Sequence, residues 1–275
     1  MKVAIIYYST YGHVLTLAKA VQKGIKETGA SADLFQIPET LSPEVLQKMH
    51  APEKPTDIPI ATLDTLTSYD AFFFAIPTRY GSAPAQFFEY FAATGGLWAQ
   101  GALYGKPAAF AVSTGTSGGG QEVTIRNTLS FLAHHGLIYI PLGYAKAFAL
   151  QANIDEVHGG SPWGAGTFAG GDGSRQPSKL ELEIATIQGK EFATSAAKFV
   201  SSSSVAKSAA GATNSKSTAP TTNANNNATT AAANDKSTGA TSEKKSTTAA
   251  PPRAQQSTKA PESTDKSSCS KCIIM

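Results

Sequence analysis

Residues 1–200 predict a doubly wound α/β fold built on a five-stranded parallel sheet, and three observations make that prediction. Short apolar runs rich in β-branched and aromatic residues alternate with longer segments of helical period. The runs are apolar at consecutive positions, and three of them end in turns that combine hydroxyl side chains with glycine. A strand that is apolar on both faces needs cover on both, which helices crossing between parallel neighbours supply.

The elements follow in order. The run VAIIYY makes Lys2 to Tyr8 the first strand, and Val14, Leu15, Leu17, Ala18 and Val21 recur at helical spacing in a helix over 14–28. Ala32 to Ile37 reads as the second strand and AFFFAI, 71–76, as the third, with a helix over 84–93 behind it. The fourth strand spans 108–112, a helix 122–135, the fifth strand Leu137 to Pro141, and a last helix 180–199. Two stretches exceed a minimal version of this plan. Residues 39–66 form a Pro-rich crossover with a short helix, and residues 143–177 contain the Gly-rich string HGGSPWGAGTFAGGDGSRQP. Loops of this length in a compact domain are usually functional or lie at a subunit interface.

Composition changes sharply after residue 200. All 13 Phe, 9 Tyr and 2 Trp lie at or before Phe199, and residues 201–275 are mostly Ser, Thr, Ala, Asn and Lys. Such a tail cannot bury enough surface to offset the entropy of ordering, so it is expected to be disordered, beside a single domain over 1–200. The two regions carry net charges of −2 and +5, which sum to the chain's +3. The basic excess therefore belongs to a tail without aromatic residues among its lysines, and no nucleic-acid partner is expected. No secretory-signal series follows Met1, and the chain is expected to start in the cytosol. Cys269 and Cys272 are the only cysteines and the five histidines lack zinc-ligand spacing, so neither a disulfide framework nor a metal site is expected.

In an open parallel sheet, ligands bind beyond the carboxyl ends of the strands. Three loops stand there: Ser9-Thr10-Tyr11-Gly12-His13, Pro77-Thr78-Arg79-Tyr80-Gly81, and Ser113-Thr114-Gly115-Thr116-Ser117-Gly118-Gly119-Gly120-Gln121. Each joins hydroxyls to glycine where a helix begins, so unpaired N–H groups and a partial positive charge await an anion. One such loop is an ordinary helix cap; three after three parallel strands are a site. The string GxxxxGK[ST] for triphosphates is absent, and the first turn has no GxGxxG dinucleotide fingerprint. Neutral donors suit a single phosphate monoester, and Tyr11, Tyr80 and Trp98 are available to stack on a flat ring.

The strings YYSTYGH, PTRYG, TGGLW, STGTSGGGQE, LAHHG, PLGY and AGGDGSRQPS together resemble the WrbA-like NAD(P)H:quinone oxidoreductases. These are FMN proteins of flavodoxin-like fold, and the resemblance is closest to the membrane-associated flavodoxin-like proteins of yeasts. It implies that Ser9, Thr10, Tyr11, Gly12, His13 and Val14 hold the FMN phosphate and that Thr78, Arg79 and Tyr80 lie against the ring. Ser113, Thr114, Gly115, Thr116, Ser117, Gly118 and Gly119 would follow the ring's polar edge, and His134 would contact the flavin. Tyr11 would border the nicotinamide pocket. Trp98 would help form the quinone slot across a subunit interface, because the family assembles as a homo-oligomer, here a dimer or tetramer. The chain departs from the bacterial pattern in a loop one residue longer, STGTSGGG, in Tyr80 for phenylalanine, and over Ser82 to Ala85.

The implied activity is two-electron transfer from NAD(P)H to quinones with ping-pong kinetics, in protection against oxidative stress. The protein would supply binding, orientation and electrostatics rather than a catalytic side chain. His134 or a backbone N–H of the Ser113 loop would stabilise the charge of the reduced ring. His135 is read as structural. Two alternatives are an FMN-binding scaffold or stress regulator with little turnover, and a one-electron flavodoxin-type shuttle. A domain charge of only −2 weighs against the shuttle, which steers to partners by strong acidity.

The chain ends in Cys272-Ile273-Ile274-Met275, a CaaX box whose terminal Met favours a farnesyl group on Cys272. One lipid anchors only marginally, so a second signal is expected, from palmitate on Cys269 or from Lys259, Lys266 and Lys271 at up to about 1 kcal/mol each. The expected location is the cytoplasmic face of a membrane, the plasma membrane first.

Overall fold

The computed structural model describes residues 1–212, with side chains as far as Ser201. The tail beyond it, with Cys269 and Cys272, lies outside the described residues. The chain runs β1 (Lys2–Tyr7), α1 (His13–Lys26), β2 (Ser31–Gln36), α2 (Pro43–Lys48), α3 (Leu63–Ser68), β3 (Ala71–Pro77), α4 (Ala85–Ala92) and α5 (Gly95–Ala99). It continues with β4 (Pro107–Thr114), α6 (Gln121–His135), β5 (Ile138–Tyr139), α7 (Phe148–Gln151), β6 (Ala165–Phe168) and α8 (Lys179–Ala212). The strands lie in the order β2-β1-β3-β4-β5, all parallel, so the winding reverses beside β1.

Alternation along the strands sorts their side chains onto two cores. Val3, Ile5, Tyr7 and Phe73 face α1 and α8, where they meet Leu17, Val21, Ile184 and Phe192. Ile6, Phe72, Phe74, Phe110 and Val112 face the other way and meet Phe87, Phe91, Ile125 and Leu132. Phe74 is the hub of the second layer, with ring centroids 5.8, 5.4 and 5.4 Å from those of Phe87, Phe91 and Phe110. On the first side α1 and α8 cross at two glycines. A Cβ on Gly24 would stand 1.9 Å from the Thr186 carbonyl oxygen, and one on Gly189 would stand 2.2 Å from that of Val21, so each helix presses backbone onto backbone.

Two sequence-based expectations need correction. The crossover holds two short helices, α2 and α3, rather than one, the first opened by Ser42, whose hydroxyl accepts the Val45 N–H at 3.4 Å. The expected fifth strand over 137–141 shrinks to two residues, and its place beside β4 is shared. β5 pairs with Pro107 and Ala108, while β6 pairs with Ala111 to Thr114, which makes a six-stranded sheet. The Ile140 N–H donates the last bond of the first piece, to Ala108 O at 2.8 Å; Pro141 has no N–H to continue it. The Gly-rich string thus contains a buried strand, its apolar content too thin to register as one.

Candidate functional site

The carboxyl ends of β1, β3 and β4 open onto a cleft, and all three loops singled out in the sequence line it. From the first come Ser9, Thr10 and Tyr11, with His13 and Val14 of α1; from the second, Thr78 and Arg79; from the third, Ser113, Thr114 and Gly115. Arg79 is the one formal charge among the lining residues, and no carboxylate lines the cleft.

The first loop is built to leave donors free. Gly12 sits at the helix cap in the left-handed region, φ 91°, where a side chain would be strained and where a Cβ would meet nothing within 4 Å. The Ser9 hydroxyl accepts the Gly12 N–H at 3.0 Å, and no side chain caps the N–H groups of the first turn of α1. Thr10 is 7% exposed and His13 5%, yet Thr10 Oγ1 and His13 Nε2 make no sound hydrogen bond, Thr10 merely leaning toward the Tyr8 hydroxyl. Buried polar atoms left unpaired cost stability, and their presence beside an uncapped helix end points to an anion that satisfies both.

The second loop is a tight hairpin. Arg79 N–H donates to Ser82 O at 2.7 Å and Ser82 N–H returns to Arg79 O at 2.9 Å, leaving Tyr80 and Gly81 as the two turn residues at φ 53° and 74°. Tyr80 is strained there, 88% exposed, and outside the cleft lining. Thr78 fixes the hairpin's root: its hydroxyl accepts Thr124 Oγ1 at 2.7 Å and the Gly81 N–H at 3.2 Å. In the third loop the chain turns away after Gly115. Gly119 N–H closes onto Thr116 O at 3.0 Å, and Thr116, Ser117, Gly118 and Gly119 do not line the cleft.

Two other expected site residues do not line the cleft of their own chain. His134 is exposed in the last turn of α6, a helix that begins beside the cleft and runs away from it for 15 residues, about 22 Å. His134 is thus absent from the lining of its own chain's cleft, because helix direction separates the two ends of α6. Its neighbour His135 is structural, as expected: buried, its Nε2 2.8 Å from Thr94 Oγ1, its pKa lowered by burial and then by His134. Trp98, in α5, is 58% exposed and also outside the lining. Tyr11 reaches back across the crossover, its hydroxyl donating to Met49 O at 3.0 Å.

Sequence reasoning missed a fourth wall. Ala169, Gly170, Gly171 and Gly173, just after β6, line the cleft opposite the first loop's residues, and the AGGDG string was the available signal. It also missed the group behind β1. The Tyr8 hydroxyl donates to both Glu39 oxygens at 3.0 and 3.2 Å, Gln86 Nε2 donates to the same carboxylate at 3.1 Å, and Lys54 Nζ lies 2.7 Å from it. Burial opposes ionisation of Glu39, but the bonds from Lys54 and the Leu41 N–H outweigh it and hold the carboxyl below its ordinary value. Burial, reinforced by the Glu39 charge, pushes the Tyr8 phenol up to about 12.

This donor set fits FMN: an uncapped helix end with Thr10 and His13 for a phosphate monoester, and one guanidinium without lining carboxylates for a ring that gains negative charge on reduction. Comparison with known proteins agrees. The family model described as NADPH-dependent FMN reductase matches residues 1–149. NAD(P)H quinone oxidoreductase YCP4 of Candida albicans is 69% identical over 288 aligned positions covering all of both chains. Protoplast secreted protein 2 of Saccharomyces cerevisiae is 61% identical over 198 positions, 72% of this chain and 99% of that one. A WrbA-like flavodoxin structure from Agrobacterium tumefaciens shares the fold, with a TM-score of 0.50 at 20% identity over 72% of this chain and 98% of that one.

Proposed function

The chain belongs to the NADPH-dependent FMN reductase family, and from that premise we propose that it is an FMN-dependent NAD(P)H:quinone oxidoreductase that works at the cytoplasmic face of a membrane. The observation that carries the reading is the cleft itself, in which unsatisfied donors at the start of α1 face an otherwise carboxylate-free lining. When bound, FMN supplies a two-electron carrier between a nicotinamide donor and a quinone. The chain's own part is positional. Thr10, His13 and the first N–H groups of α1 hold the phosphate; the Thr78–Ser82 hairpin and Ser113 to Gly115 fix the ring between rigid strand ends. The Arg79 guanidinium favours added negative charge nearby, and no lining carboxylate opposes it. The donor and the acceptor use this one cleft in turn, hence ping-pong kinetics.

Trp98 and His134 stand outside their own chain's cleft, which supports a homo-oligomer in which a neighbouring copy brings them to it. The names of the relatives support the quinone as acceptor. The deciding experiment is the absorbance spectrum of the purified chain with added NADH and then benzoquinone. Bound flavin that bleaches and recovers, with parallel double-reciprocal rate plots, is the expected result; bound flavin that NADH leaves untouched would make the chain a binding scaffold instead. The anchor is tested separately. Cys272→Ser is expected to move the protein to the cytosol with its FMN content intact, and unchanged membrane fractionation would remove the lipid from this account.

A further inference from the structure

The cleft's fourth wall returns to the sheet through a buried polar cluster centred on Glu181, a residue that no part of the foregoing reading uses. Glu181 is 0% exposed and sits in the first turn of α8. It forms a capping box with Ser178: the Ser178 N–H donates to Glu181 Oε2 at 2.8 Å and the Glu181 N–H donates to Ser178 Oγ at 3.3 Å. A helix cap normally faces solvent and needs nothing more. Here the same carboxylate also accepts the Gly159 N–H at 2.8 Å, the Thr167 hydroxyl at 2.7 Å, and Arg175 Nη1 at 3.1 and 3.0 Å.

Arg175 carries the connection to the cleft. Its Nη1 also donates to Phe168 O at 2.7 Å and its Nη2 to Val157 O at 2.9 Å, so one guanidinium grips both flanks of β6. Its own N–H donates to Ala169 O at 2.9 Å, and the Ala169 N–H donates to Thr114 O at 2.8 Å. The segment between, Gly170 to Gly173, lines the cleft and includes two residues in the left-handed region, Gly170 at φ 80° and Gly173 at φ 75°. A glycine loop of this kind has little preference for one shape. Within it the Gly173 N–H closes onto Gly170 O at 3.3 Å and Asp172 Oδ1 accepts the Ser174 N–H and hydroxyl at 3.0 and 2.8 Å, while its base is fixed beside Thr114 by the Ala169 N–H and by the bonds of Arg175 and Glu181.

We propose that Arg175 and Glu181 are positioning residues for the FMN site: the capping glutamate of α8 and the arginine it binds hold Ala169 to Gly173 as a preformed cleft wall. Without them the loop must be ordered by the ligand, at the expense of affinity. The proposal rests on the FMN reading of the cleft and deepens it.

The test uses the full chain stripped of flavin, with FMN affinity read from quenching of flavin fluorescence and peptide-resolved hydrogen exchange of the same apo-protein. Arg175→Lys keeps the charge but loses the fork that spans Phe168 O, Val157 O and the carboxylate; Glu181→Gln keeps the shape but not the charge. Each is expected to raise the FMN dissociation constant about tenfold and to speed exchange in 165–175 while β1, β3 and β4 keep the parent's protection. The double variant is expected to match the singles rather than multiply them, because both act through one contact. Affinity within threefold of the parent in variants that keep parental protection in β1, β3 and β4 would overturn the proposal, and so would unchanged exchange in 165–175. Exchange spread evenly over all strands would also overturn it, since the pair would then serve the fold alone. A parent chain that takes up no FMN would defeat the cofactor reading instead, and the exchange measurement would still decide whether the pair orders the loop.

Discussion

Two long excursions leave this sheet, one on each side of the cleft, and each is tied back by a carboxylate and a part-exposed cation, with the carboxylate in opposite surroundings. In the crossover after β2, Glu39 meets Lys54 at 2.7 Å with both side chains partly in water, 17% and 25% exposed. In the excursion after β5 the cation is as exposed, Arg175 at 29%, but the carboxylate it meets at 3.0 Å, Glu181, is fully enclosed, with backbone N–H groups supplying further bonds. Similar chemistry has different consequences. Water can replace either partner of the first pair, whereas loss of Arg175 from the second leaves an enclosed carboxylate with no cation, held only by the Gly159 and Ser178 N–H groups and the Thr167 hydroxyl. The crossover is therefore fastened at its surface and the cleft wall from within.

Four substitutions would sharpen or break that contrast. Arg175→Ala strands the enclosed carboxylate and is expected to destabilise the chain by about 3 kcal/mol in urea unfolding. A loss below about 1 kcal/mol would place the pair in the same class as a surface pair. Gly189→Ala, in the helix that carries Glu181, forces a Cβ against the Val21 carbonyl and is expected to cost about 1–3 kcal/mol with FMN affinity little changed. Thr10→Val should do the reverse. It removes a buried unpaired hydroxyl, so apo-protein stability holds or rises slightly, while the FMN dissociation constant increases about tenfold because a bond to a charged group is lost.

The smallest effect belongs to the crossover. Glu39→Gln is expected to cost less than about 1 kcal/mol at neutral pH. Because the Glu39 carboxyl titrates below its ordinary value in the folded chain, its contribution is complete above the unfolded pKa, about 4.3, and disappears as pH falls through the folded one. Parent and variant should therefore converge in stability once acid has protonated the folded carboxyl. A gap that persists there would mean that the carboxylate acts through shape rather than charge.

Most of this architecture was legible in the sequence. Runs such as VAIIYY and AFFFAI announce two-faced strands, and the hydroxyl-glycine turns after β1, β3 and β4 announce their joint cleft, since winding reverses there. What escaped was whatever depends on direction or partnership. His134 lies in the string LAHHG, but only the run of α6 shows that it does not line its own chain's cleft. Thr116 to Gly119 belong to the right loop, yet the Gly119 to Thr116 bond folds them aside. The strand β6 has one large apolar side chain in four residues; it is buried by pairing with β4 and by the core at Ala165, and its polar groups are met by Gln188, whose Oε1 accepts the Ala165 N–H at 2.9 Å, and by Glu181. Ser178-x-x-Glu181 was visible as a capping pattern; that its glutamate would also bind a loop from the other side of β6 was not.

The shared place beside β4 has an evolutionary side. Because β5 and β6 each hold their own stretch of β4, chain can be added in the exposed stretch Ile154 to Glu156 between them without shifting the register of either ladder. Closing a longer surface loop is entropically cheap, so descendants of this fold can acquire new outer surface there while inheriting an unaltered interior. The divided strand is in that sense an expansion joint, and lineages that differ in assembly or clientele are expected to differ there first.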